Sequence, residues 1–196
     1  MHIKVAKITT LVAVLVSLLV VGWYWFSMNQ ADRNYSIYKS ENPALDFTLR
    51  YPNDWKVAEM RGRDKPYDAV QFIGERDPEN LFSVGFAITA RAENPPSNTD
   101  PLADFLKHME GSPDFKLIST KKRMVGQRKT KVATYEYILH LPPLKTDAKD
   151  VLMKEMTLFV KKDRKSYRIS FLGTAEQFEE NEAVFNHVLK TFQFTQ

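Results

Sequence analysis

The 196-residue sequence predicts an α+β fold: an α/β/α sandwich with a mostly antiparallel β-sheet flanked by helices, preceded by a single N-terminal transmembrane helix. Three observations lead there. Apolar and polar residues alternate with period 2 along most of the chain, two shorter stretches carry apolar stripes at helical spacing, and one run near the start holds no charge. The composition, 43% hydrophobic and 27% charged, is that of a globular chain and excludes a disordered or low-complexity polymer.

The charge-free run extends from Ile8 to Phe26. As a helix it measures about 28 Å, close to the hydrocarbon thickness of a bilayer. Lys4 and Lys7 precede it and Asp32 and Arg33 are the first charges after it, so the positive-inside bias sets the N-terminus in the cytoplasm. Trp23, Tyr24, Trp25 and Phe26 crowd the far end, where aromatic rings favour the membrane–water interface. A cleaved signal peptide is the competing reading. It calls for small residues after the apolar core, and Asn29-Gln30-Ala31 matches an A-x-A site poorly. The expectation is an uncleaved anchor within residues 1–30, crossing the cytoplasmic membrane through residues 8–26. A polar tether over 31–44 and an extracytoplasmic domain over 45–196 follow. Without Lys4 and Lys7 the chain carries 26 basic and 24 acidic side chains, too even a balance to imply nucleic acid as a partner.

The domain opens with Leu45, Phe47 and Leu49 alternating with Asp46, Thr48 and Arg50, a half-buried strand. Pro52-Asn53-Asp54 turns the chain into a second strand at Trp55-Lys56-Val57, and a third falls at Ala69–Ile73. In the fourth, Phe82, Val84, Phe86 and Ile88 share one face and Ser83, Gly85, Ala87 and Thr89 the other. That second face is small enough to let a helix approach, which predicts a sheet covered on both sides. Asp100 as N-cap, Pro101 at the first helical position, and Leu102, Phe105, Leu106 and Met109 on one stripe predict a short helix.

Long strands then run from Phe115 to about Val125, Lys131 to Leu141, Leu152 to Lys161, and Lys165 to Leu172. Val125-Gly126-Gln127 and Lys162-Asp163-Arg164 serve as hairpin turns, and Pro142 to Asp150 as a longer loop. Thr174-Ala175-Glu176-Gln177 is a capping-box sequence, opening a closing helix whose stripe is Phe185, Val188, Leu189 and Phe192.

Two segments resemble the PsbP-like family. Residues 45–57, LDFTLRYPNDWKV, are similar to its opening of an apolar strand, Tyr-Pro, a two-residue turn and Trp. Residues 165–171, KSYRISF, precede a final helix ending in Thr191-Phe192-Gln193-Phe194. The resemblance covers about residues 45–195. It implies an α/β/α sandwich and no catalysis, since members of that family are mostly binding or assembly factors, many of them secreted or membrane-attached. Tyr51-Pro52 and Trp55 read as residues that build the fold.

Chemistry leaves few marks. The absence of cysteine rules out disulfides, thiolate metal sites and cysteine nucleophiles. No nucleophile elbow, P-loop, zinc-protease or dinucleotide glycine pattern occurs, and no cofactor is implied. Asp104 and His108 are four apart on the short helix, half of a metal site, but read as an exposed acid–imidazole pair. His140 and His187 fall off the apolar faces of their elements. A hydrolase would need a cleft joining one of these histidines to a serine or acid. Glu75, Asp77 and Glu79 lack the glycine and terminal glutamate of a calcium loop. No metal site or catalytic residue is expected.

The strongest surface signal is basic. Lys121, Lys122 and Arg123 lead into the turn at Gly126, and Arg128, Lys129 and Lys131 leave it, so a hairpin would gather six cations at one tip. Lys161, Lys162, Arg164 and Lys165 mark the next hairpin. Such tips either contact acidic lipid head groups, an anionic envelope polymer or an acidic protein surface, or protect sheet edges from aggregation. The expected function is that of a non-catalytic, membrane-tethered, extracytoplasmic binding or assembly/adaptor protein. A small-ligand or lipid carrier or sensor with a sheet–helix pocket is the alternative, ahead of an extracytoplasmic hydrolase.

Overall fold

The computed structural model describes residues 34–60, 67–92, 99–112, 114–141 and 148–195. The segment read as an anchor lies outside them. Among the described residues no helix is long and apolar enough to cross a membrane. Residues 37–196 form one compact unit, which carries the fold.

The elements follow in the order β1 (Tyr35–Lys39), β2 (Phe47–Pro52), β3 (Lys56–Met60), β4 (Tyr67–Arg76), β5 (Ser83–Ala92), α1 (Pro101–Met109), β6 (Lys116–Val125), β7 (Arg128–Leu141), β8 (Lys149–Lys162), β9 (Lys165–Thr174), α2 (Ala175–Thr191) and β10 (Gln193–Phe194). Seven strands form one sheet in the order β3-β4-β5-β9-β8-β7-β6, antiparallel at every ladder. A small sheet, β1-β2-β10, is separate. The α+β sandwich that the alternation predicts is therefore present.

Alternation dictates which side each layer takes. On one face of the large sheet Phe72, Phe86, Ile88, Leu158, Ile169 and Phe171 are all buried. They pack against Phe178, Phe185, Val188 and Leu189 of α2 and Phe47 and Leu49 of β2 in one core. Phe171 stacks on Phe185 with ring centroids 4.9 Å apart, and Phe72 on Phe86 at 4.2 Å. α2 starts where the capping box sets it: the Thr174 hydroxyl accepts from Gln177 N at 3.3 Å, and the Gln177 amide oxygen accepts from Thr174 N at 3.2 Å.

On the other face α1 packs against β7 and β8 through Leu102, Phe105, Leu106 and Met109, around Ala133 and Tyr135. Asp100 caps it by accepting from Leu102 N at 3.1 Å. This corrects the placement inferred from the small residues of β5. The helix covers the β7–β8 half, while Gly85 and Ala87 line an open cleft. Aromatic volume explains the choice, because Tyr135, Tyr137 and Phe159 offer far more apolar surface than Gly85 and Ala87.

Two further differences concern the first strands. β2 does not join the large sheet; it pairs with β10, Phe47 opposite Phe194 and Thr48 opposite Gln193. The stretch read as a polar tether includes β1, whose Tyr38 is buried against Phe47 and Phe72 and donates to Glu59 Oε1 at 2.7 Å.

Candidate basic groove

The β6–β7 hairpin closes on a two-residue turn, Gly126-Gln127, with Val125 opposite Arg128. Gly126 has φ +55°, as the first central residue of a type II′ turn requires. Its N–H donates to Leu189 O at 2.8 Å, which ties the tip to the end of α2, and a Cβ there would lie 2.3 Å from Phe192 O.

Because strand side chains alternate, the six predicted cations do not share one surface. Lys121, Arg123 and Arg128 belong to the α2 side. There Arg123 bonds Glu182 at 2.8 Å and Asn186, and Arg128 lies 5.2 Å from the Phe194 ring centroid. Lys122, Lys129 and Lys131 belong to the α1 side, with Lys122 directly opposite Lys131. Lys161 of the neighbouring hairpin joins them: these four lysines, with Phe159, Thr130 and the α1 start at Asp100, Pro101 and Leu102, line a groove of about 390 Å³. Among the described residues Asp100 is the one acid of that lining. It accepts from Lys131 Nζ at 3.0 Å, and this ammonium, outweighing the slight burial and aided by the Ala103 and Leu102 N–H groups, holds its carboxyl below the ordinary value.

Lys162 and Lys165 of the second hairpin are committed to the fold, while Arg164 is exposed. Lys162 and Lys165 reach the Asp46 carboxylate at 3.1 and 3.7 Å, and the Tyr167 hydroxyl donates to the same group.

Beside the groove, under α1, lies a polar network that the sequence did not suggest. Glu155 and Thr157 are buried. Arg168 reaches Glu155 at 2.8 Å and donates through Nε to Ser170 at 2.9 Å, while Thr157 donates to Glu155 at 2.7 Å and meets Ser170 at 2.7 Å. The Phe105 ring covers the guanidinium, 4.3 Å from its centroid. Burial, and then the Glu155 charge, push the hydroxyls of Tyr135 and Tyr137 well above the ordinary tyrosine range. The network satisfies itself internally, as buried polar groups must. The signal available in the sequence was the pair of polar positions spaced by two in each strand, Glu155/Thr157 and Arg168/Ser170.

The histidines remain apart. His108 is exposed on α1, His140 is exposed and pairs with Asp150, and His187 is half-buried on α2. Asp77 spends its carboxylate on Leu81 N and Phe82 N, closing the β4–β5 loop, and Glu79 pairs with Lys149. Among the described residues no group of three ligating side chains forms a metal site.

No protein-family model matches the chain. No curated protein matches it in sequence. Among solved structures it is similar to the cyanobacterial PsbP (CyanoP) of Synechocystis sp. PCC 6803, with 14% identity over 82% of this chain and 92% of that one and a TM-score of 0.49. It is also similar to LpqN of Mycobacterium tuberculosis, described as involved in cell envelope biogenesis, with 13% identity, coverage of 83% and 91% and a TM-score of 0.49. The Ran-binding protein Mog1p of Saccharomyces cerevisiae gives 10% identity, coverage of 83% and 96% and a TM-score of 0.44. PsbP thus stands among the structures this chain resembles, as the residues of its first strand and turn implied.

Proposed function

We propose that this chain is a non-catalytic binding protein, an adaptor or assembly factor anchored in the cytoplasmic membrane through residues 8–26. Its domain lies outside the membrane and captures an acidic protein partner through the groove beside α1. The observation that carries the reading is the convergence of Lys122, Lys129, Lys131 and Lys161 on one groove whose lining, among the described residues, holds one acid, Asp100. Lys122 and Lys131 stand opposite each other on paired strands, where like charges repel. An anion seated between them relieves that repulsion and gains charge-assisted hydrogen bonds. The anchor assignment rests on the charge-free run and its flanks.

The test is crosslinking of the full-length protein in membranes, followed by affinity capture, with Lys122→Glu/Lys129→Glu/Lys161→Glu as the control. One protein recovered in near-stoichiometric amount and lost from the control is the expected result. Equal recovery by the control contradicts the groove assignment.

A second reading, carriage of a small apolar or lipid ligand, is favoured by the cleft of about 410 Å³ on the half of the sheet that α1 leaves bare. Ile73, Phe82, Gly85, Ala87 and Leu172 line it. Lipid extraction of the purified protein followed by mass spectrometry tests it, a stoichiometric lipid being the supporting result and a lipid-free protein the contrary one.

A further inference from the structure

We infer that β6 is a docking edge, and that an extended acidic segment of a partner polypeptide adds to it as an eighth strand. This rests on the proposed binding role and specifies how the partner is held. β6 is the last strand of the large sheet, ten residues long and mostly exposed. The opposite edge, β3, has five residues.

The turn determines which backbone groups are free. The residues flanking a two-residue hairpin turn form a hydrogen-bonded pair, here Val125 and Arg128, and bonded and non-bonded pairs alternate from there. Arg123/Thr130 and Lys121/Val132 are the next bonded pairs. Thr120, Lys122 and Met124 therefore turn their N–H and C=O groups outward, where among the described residues no strand pairs with them, a template for another strand.

Charge selects the occupant. A strand paired there places alternate side chains beside Lys122 on the groove side, with Lys129 one strand further in, so carboxylates are matched and ammonium groups rejected. Met124, 50% exposed, supplies apolar contact next to them. The same lysines repel β6 of a second copy, so the edge is protected against self-association while it accepts an acidic strand.

The test titrates the full-length chain, in detergent micelles, with a fluorescent peptide of alternating Glu and Val about ten residues long. Proline is tolerated on an edge strand where its nitrogen faces outward. Lys122→Pro then removes one docking donor, whereas Lys122→Ala removes only the charge. We expect Lys122→Ala to weaken binding a few-fold and Lys122→Pro to weaken it about tenfold further. Hydrogen exchange on the wild-type chain covers the case in which the proline variant fails to fold. Slowed exchange at Thr120, Lys122 and Met124 on peptide addition supports strand addition, and unchanged exchange there overturns it. Equal binding by the Pro and Ala variants overturns it as well. Sedimentation showing a dimer that Lys122→Pro dissolves overturns it in favour of a second copy as occupant. Binding indifferent to Lys122→Glu/Lys129→Glu overturns the groove reading itself, a separate outcome from the loss of strand addition alone.

Discussion

The guanidinium of Arg168 lies 2.8 Å from Oε1 of Glu155, in a network closed over by Phe105 of α1. This pair fastens β9 to β8 on the face where α1 docks, so the helix that forms one wall of the groove rests on a charge pair whose carboxylate is buried and whose guanidinium is partly exposed. Removing one partner strands the other charge. Arg168→Met is expected to destabilise the domain by about 2–3 kcal/mol, below the figure for fully buried pairs because the Arg168 side chain is 36% exposed. Glu155→Gln/Arg168→Met should recover part of that loss in chemical denaturation, and strictly additive losses would contradict the coupling.

Gly126 joins the basic hairpin to α2. Gly126→Ala must hold alanine at positive φ and set its Cβ against the Phe192 carbonyl. A loss of about 2 kcal/mol is expected in urea unfolding, against less than about 0.5 kcal/mol for Gln127→Ala, an exposed neighbour in the same turn.

The Asp46 node predicts an acid limb. Burial alone raises the Asp46 carboxyl, but the Tyr167 hydroxyl with Lys162 and Lys165 outweighs it and holds the group below its ordinary value of 3.8. A depressed folded-state value means that this contribution is complete above 3.8 and is lost as the pH falls through the lower folded value. Asp46→Asn should lower stability near neutrality by about 1 kcal/mol and flatten the decline in stability below about pH 4. An unchanged acid limb would show that the node contributes nothing.

The cysteine-free chain allows clean topology mapping. In intact cells, Asn53→Cys, on an exposed turn, is expected to react with a membrane-impermeant maleimide, while Ile3→Cys reacts only after lysis. The opposite pattern would invert the proposed orientation.

Most of the fold was legible because period-2 alternation and capping chemistry are local. The Thr174 capping box, the Asp100 cap and the long strands of the meander lie where their residues placed them, except that β7 and β8 begin earlier than read, at Arg128 and Lys149. What alternation marks is faces, and partners depend on distant chain. That is why Phe47 pairing with Phe194, across nearly the whole domain, was not visible. The site was half legible for the same reason. Six cations around Gly126 announced a basic hairpin, but only the register shows Lys122, Lys129 and Lys131 on one side and Arg123 committed to Glu182 on the other. Glu155 and Arg168 belong to separate strands, and nothing short of the β8–β9 ladder brings them together.

The most direct test of the binding account is site-specific photocrosslinking in membranes. A photoreactive amino acid is placed in the full-length chain at position 129, beside the groove, or at position 180, exposed on α2. The account predicts a discrete protein adduct from position 129 that disappears with Lys122→Glu/Lys161→Glu, and none from position 180. Adducts from position 180 alone, or adducts from position 129 that survive the charge reversal, would contradict it.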